Sequence, residues 1–190
     1  MLSLQLKEET SEVHRESEKI MIRHLKKMTT TEDYILFLNW LYGYYHPLEE
    51  LLRPWITPDR MPDGEKRSHA GNILLDIQES GITVPPVEME QDLPRIGSFA
   101  AALGALYVVE GSTLGGRIIA TMLTRQLGST SSLFFYNSYG KETENMWLTF
   151  KSYLDSPHTA EEKKEILSAA GETFLTFKNR IGKYELHPQL

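Results

Sequence analysis

The stretch 106–123, LYVVEGSTLGGRIIATML, sets three glycines inside an apolar run that otherwise asks for unbroken helix. Interior glycine costs a helix ~1 kcal/mol relative to alanine, so a sequence that needed only a helix would not place three here. At about 100° per residue, Gly97, Gly104, Gly111 and Gly115 fall in one narrow arc with Gly116 beside it, which makes a stripe without side chains. Such a stripe lets a second helix pack closely, or lets the backbone approach a flat ligand. The adjacent pair Gly115 and Gly116 also predicts a kink, which suits a helix bent over a planar ligand. Spacing alone leaves both uses open.

Composition frames that segment. A chain of 190 residues is long enough for one core of ordinary size and cramped for two, so a single domain over 1–190 is expected. Hydrophobic content of 41% against 24% charged is that of a globular protein that fills its core without crosslinks. There is no cysteine, which excludes disulfides, thiolate metal sites and cysteine nucleophiles together and fits a reducing compartment. The opening MLSLQLKEETSEVH turns polar too early for the apolar core of a signal peptide, so the cytoplasm is the expected location. A net charge of −6 argues against nucleic acid as the main partner, because phosphate binding needs a basic surface. From Ile96 to Val109 the chain is nearly membrane-like, but Glu110, Arg117 and Arg125 follow before the ~20 apolar residues of a span are reached. The segment reads as a buried helix, with no membrane partner.

The rest of the chain reads as helices joined by loops. Leu6, Val13, Ile20 and Leu25 recur at helical spacing and predict a first helix over roughly Leu4 to Lys27. MTTTEDY offers threonine N-caps with Glu32 and Asp33 in the first turn of a second helix, which is expected to bend or restart at Pro47. KRSHAGNILLDIQESG predicts a third helix ending at Gly81, and the two prolines of ITVPPVEMEQDLP an extended connection. The glycine-bearing helix follows, with Ser98 as its start. After LGSTSSLFFYNSYG, a helix is expected through ETENMWLTFKSYL, and Thr159 with Glu162 forms a box that opens a last helix towards Lys183. There is no repeat and no strong hairpin signal, so the fold class is all-α, a multi-helical bundle.

A planar ligand needs something opposite the glycines. In LKEETSEVHRESE, His14 is followed four residues later by Glu18 on the same helical face. An imidazole can bind a metal through one ring nitrogen while the other donates to a carboxylate that fixes its tautomer, which is the chemistry of a single axial ligand to heme iron. A histidine flanked by charges is also an ordinary surface residue. His46, His69, His158 and His187 read as structural or exposed.

These two segments together resemble the heme oxygenase family, over most of the chain. The N-terminal LKEETSEVHRESE is similar to that family's proximal helix, which implies His14 as the iron ligand and Glu18 as its hydrogen-bonding partner. Thr10, Val13 and Ser17 match positions that line the proximal heme face, and Lys7 a lysine near the propionates. YVVEGSTLGGRIIA resembles the distal helix, whose glycine backbone lies over the heme, so Gly111, Ser112, Gly115 and Gly116 are the matching distal positions. LFFYNSYGKETENMWLTFKSYLD resembles the bacterial, phytochrome-associated branch through its FF, YG and W. In the mammalian-type pattern an aspartate stands where Ser112 does, and a hydroxyl cannot hold that charge. In the last helix, LTFKNRIGKYE, Lys178 is the better match to a propionate-binding cation and Arg180 the alternative.

The resemblance implies oxidative opening of heme, at once substrate and cofactor, to biliverdin, carbon monoxide and ferrous iron. Molecular oxygen and an electron donor such as a ferredoxin, a flavodoxin or a reductase are the implied partners, with a bacteriophytochrome as a receiver of biliverdin. His14, Gly111, Ser112 and Gly115 would carry the reaction. Two other readings use the same residues differently: a non-catalytic heme-binding or trafficking protein of the same fold, and an iron-free thiaminase or quinone-cofactor member of the wider superfamily. A di-iron bundle would need Glu-x-x-His pairs, and the chain has none.

Overall fold

The computed structural model describes residues 1–128 and 133–185, and among these it forms eight α-helices and no strand. The first helical stretch is two helices rather than one, α1 (Leu2–Glu9) and α2 (Ser11–Lys27). Thr10 breaks them, because its Oγ1 donates to the Leu6 carbonyl at 2.7 Å and its backbone leaves the helical well at φ −97°, ψ 0°.

Helix α3 (Thr31–Leu52) starts at Thr30, whose Oγ1 accepts from the Asp33 amide at 3.1 Å while Asp33 accepts from the Thr30 amide at 3.0 Å. It does not restart at Pro47. Proline leaves the carbonyl four residues back without a helical donor, and here the Glu90 amide takes that Gly43 carbonyl at 2.8 Å. A Cβ on Gly43 would lie 2.6 Å from the Glu88 carbonyl, so proline and glycine together dock the 82–98 connection onto α3.

Helix α4 (Ala70–Ser80) begins later than its sequence suggests, because the Glu49 carboxylate from α3 takes the amides of His69 and Ala70 at 2.6 and 2.9 Å. It ends at Gly81, φ 67°, as expected. Helix α5 (Phe99–Leu127) is capped by Ser98, with the Ala101 amide donating at 3.0 Å, and leaves Gly97 outside it. A single turn, α6 (Phe134–Asn137), interrupts the loop expected before α7 (Thr143–Leu154); residues 129–132 of that loop lie outside the described residues. Helix α8 (Ala160–Gly182) carries the predicted box, Thr159 with Glu162.

Helix α5 is the axis of the bundle. By length and composition it could cross a membrane, but 72% of its most apolar window is buried in the fold. Its glycines divide into two kinds. A Cβ on Gly104 would stand 2.2 Å from the Ile166 carbonyl of α8, and one on Gly116 would stand 2.1 Å from the Tyr136 carbonyl of α6. Those two positions let backbones touch. Among the described residues Gly115 has nothing within 4 Å of the same atom and Gly111 only the Trp147 ring of α7 at 3.8 Å, so these two serve no backbone contact between helices.

Two substitutions check this division. Gly104→Ala adds a methyl group into a backbone carbonyl and is expected to destabilise the fold by about 1–3 kcal/mol despite alanine's better helix propensity. Gly171→Ala, in open space on α8, is expected to stabilise it by up to ~1 kcal/mol. Denaturant unfolding of the two variants measures both signs.

Candidate functional site

Helices α2 and α5 meet at one end, where the Gln126 side-chain amide donates to the Leu25 carbonyl at 2.9 Å and to that of Met28. His14 and Gly115 each stand eleven residues before that junction, on α2 and α5 respectively, about 16 Å back along each helix. A cavity of about 700 Å³ opens between them, within the usual size of a cofactor or small-ligand site. Aromatic side chains supply much of its wall: Phe135 and Tyr136 from α6, Trp147 from α7, Phe174 and Phe177 from α8.

From α1, Thr10 and α2 the cavity takes Lys7, Thr10, His14, Ser17 and Glu18. Thr10 and Ser17 are buried and spend their hydroxyl protons on the Leu6 and Val13 carbonyls. The His14 ring lies 5.6 Å from that of Phe174, tilted by 54°. Among the described residues no hydrogen bond joins His14 to Glu18, although both line the cavity. From α5 it takes Gly111, Ser112, Gly115 and Gly116. Gly111 and Gly115 are bare on this side. Gly116 also lines the cavity, but its missing Cβ serves the contact with α6.

Three expected residues lie elsewhere. Val13 packs against the core instead of lining the cavity. Lys178 is absent from the wall and pairs with Glu16 at 3.0 Å. Arg180 is closed to any ligand: it is 4% exposed, donates to the Trp40 and Glu88 carbonyls at 3.0 Å each, and lies 3.7 Å from the Trp40 ring centroid. It holds the 82–98 connection, and so does not serve as the alternative propionate cation. The cations that do reach the cavity are Lys7, Arg15 and Lys151. Lys151 was legible as the residue one turn after Trp147, over whose ring it sits at 6.0 Å.

Beneath Gly111 lies a buried charged cluster that the sequence reading passed over. Glu110, 1% exposed, pairs with Arg67, accepts from the Tyr139 hydroxyl at 2.8 Å, and lies 3.0 Å from His69 Nε2. Arg67 also pairs with Asp63 and donates to the Met146 carbonyl at 3.1 Å. Burial works against the guanidinium charge, yet Asp63 and Glu110 hold its pKa above the ordinary value. Burial and then the Glu110 charge push the Tyr139 phenol well up, so it stays a donor. His69 reaches the cavity wall from this cluster, as does Tyr45, whose phenol burial pushes up to about 12 while Ser112 pulls it back. Ser112 gives its own proton to the Val109 carbonyl at 2.6 Å. The signal for the cluster was one glutamate in the middle of an apolar run, since a buried carboxylate must have partners.

An aromatic-walled cavity with the His14 imidazole on α2 and a stretch of bare backbone on α5 fits a planar macrocycle, with cations near for acidic substituents. Comparison with known proteins agrees. The heme oxygenase family model matches residues 76–181, more than half of the chain. A heme oxygenase of Xanthomonas campestris pv. campestris (strain 8004) is 33% identical over 85 residues, a match that spans 44% of this chain and 52% of that protein, about half the length of the curated relative. Among solved structures, the heme oxygenase from Leptospira interrogans superposes with a TM-score of 0.75 at 21% identity, over 96% of this chain and 99% of that one. The NO- and CO-bound heme oxygenase from Neisseria meningitidis does so with a TM-score of 0.76 at 20% identity, over 96% and 92%. These structural likenesses establish the all-helical fold, and the family match establishes the lineage: this chain belongs to the heme oxygenase family.

Proposed function

We propose that the protein binds heme in this cavity as its substrate and opens it oxidatively to biliverdin, carbon monoxide and ferrous iron. Oxygen and electrons from a ferredoxin, a flavodoxin or a reductase complete the reaction, in the cytoplasm. The observation that carries the reading is the pairing of His14 with the bare backbone of Gly111 and Gly115 in one cavity. Heme, when bound, supplies the iron that takes up oxygen and the macrocycle edge that is oxidised.

The protein's part is positional. His14 would hold the iron through a ring nitrogen, with Glu18 one turn away as the carboxylate that would orient the ring. Thr10, at the break before α2, and Ser17, one turn after His14, line the same side of the cavity, with Val13 packed behind them on the core. Lys7, Arg15 and Lys151 meet the propionates, with Lys178 held in reserve by Glu16. Gly111 and Gly115 restrict the space above the macrocycle by backbone alone, and Gly116 keeps α6 tight against α5. Proton supply falls to hydroxyls rather than to a carboxylate at the Ser112 position: the Tyr45 phenol lines the same cavity as Ser112, and the Tyr139 and His69 side chains are held on the Glu110 carboxylate. Within the family, the GSTLGG segment and the FF, YG and W landmarks support the phytochrome-associated branch, with a bacteriophytochrome as receiver of the product.

The test is a visible spectrum of the protein mixed with hemin, then supplied with oxygen, reductant and catalase. Loss of the Soret band with growth of biliverdin absorption is expected. A Soret complex that persists under those conditions contradicts turnover and leaves a heme carrier, and no complex at all leaves the iron-free reading.

Two variants separate ligation from space. His14→Ala is expected to change the ferric spectrum while the aromatic walls still hold hemin. Gly115→Leu, which adds its side chain into open space, is expected to keep the unfolding midpoint within a few degrees and to weaken hemin binding by about tenfold or more, through overlap with the ligand. Hemin titration followed at the Soret band, alongside thermal unfolding, reads both.

A further inference from the structure

Segment 133–139, part of the cavity wall, has little structure of its own. Its one helical turn, α6, is too short to stand alone. It is flanked by two non-glycine residues in positive φ, Leu133 at 48° and Ser138 at 40° with ψ −112°. Among the described residues the Ser138 hydroxyl is buried without a partner. A segment with these costs must be held from outside. On one side, Gly116 lets the Tyr136 carbonyl rest against α5.

On the other side stands Asp76, from the middle of α4. Its carboxylate is 4% exposed, and both oxygens are engaged: Oδ1 accepts from the Phe134 amide at 2.7 Å, Oδ2 from the Phe135 amide at 2.9 Å and from the Tyr34 hydroxyl at 3.3 Å. Among the described residues no cation forms an ion pair with it. A buried carboxylate without a counter-ion is retained only where its hydrogen bonds are needed. Burial lifts the carboxyl pKa above the usual range, and the two amides and Tyr34 pull against that lift. One of the two amides belongs to Phe135, which with the next residue, Tyr136, turns into the cavity. Phe135 meets Tyr45 edge-on at 5.2 Å, Tyr136 stacks on Tyr34 at 6.2 Å, and Phe135 and Tyr136 both line the ligand space.

We infer that Asp76 is a positioning residue: it clamps the backbone of Phe134 and Phe135 so that Phe135 and Tyr136 form a fixed wall, and thereby sets how the flat ligand is seated. The identity of that ligand rests on the heme reading above; the clamp itself does not. Asp76 touches neither ligand nor reacting atoms.

Asp76→Asn keeps the size but offers one acceptor to two backbone donors, and turns an NH2 group towards the second. Hydrogen exchange of the free protein is expected to speed up by about tenfold or more in 133–139, with α3 and α8 unchanged. Hemin affinity is expected to fall by about tenfold, or the mixture of biliverdin isomers to shift, with unchanged far-ultraviolet circular dichroism. Unchanged exchange overturns the clamp. Faster exchange with unaltered hemin affinity and isomer mixture overturns the positioning role, since a merely structural bond would behave so. Should the variant fail to fold, the wild-type protein decides: the Phe134 and Phe135 amides must exchange as slowly as those of α4, and exchange at the rate of an exposed loop overturns the proposal. A wild-type protein that takes up no hemin overturns the heme reading by itself, and the exchange result then decides the clamp alone.

Discussion

The architecture depends on two places where backbone meets backbone. At Gly104 the chain of α5 lies against the Ile166 carbonyl, and at Gly116 against that of Tyr136. Any Cβ there would push α8 or α6 away, and cores do not yield such room cheaply. Between these contacts α5 is pinned, so Gly111 and Gly115 are left facing a space that α5 cannot close. The cavity is what remains when one helix is held near both ends of a glycine stripe and splayed from α2 beyond Gln126.

Buried carboxylates fix what surrounds that space. Glu110 gathers Arg67, His69 and Tyr139 under the bare backbone, and Asp76 holds the turn that brings Phe135 and Tyr136 inward. The half-buried Glu49 likewise holds the amides at the start of α4. Each joins residues from different helices, where an apolar side chain would leave several backbone or guanidinium donors unpaired. The aromatic part of the cavity wall is thus braced from behind by the buried Glu110 and Asp76, an arrangement suited to holding a ligand still.

Local chemistry was legible where it is written within a few residues. Thr159 with Glu162 and the stop at Gly81 followed from their own positions, as did the Ser98 start. The restart open at Pro47 does not occur, because the Gly43 carbonyl it orphans finds a donor in Glu90, forty-seven residues on. Thr10 misled because a hydroxyl bond one turn back is invisible to apolar periodicity. The glycine stripe was legible as a stripe, but spacing could not say that Gly104 and Gly116 serve packing while Gly111 and Gly115 face the cavity; only neighbours from α6 and α8 separate them. For the same reason Lys178 and Arg180 were candidates by type, and their partners Glu16 and Trp40 lie on other helices. The expectations for residues 129–132 and for His187 fall outside the described residues.

The central claim is that α2 and α5 clasp one flat heme, with an imidazole on one face and bare backbone on the other. A crystal structure of the hemin complex tests it most directly. The account predicts a macrocycle between the helices with a His14 ring nitrogen on the iron and the Gly111 to Gly115 backbone packed on the opposite face. Iron held by any other residue, or hemin bound outside this cavity, would contradict it.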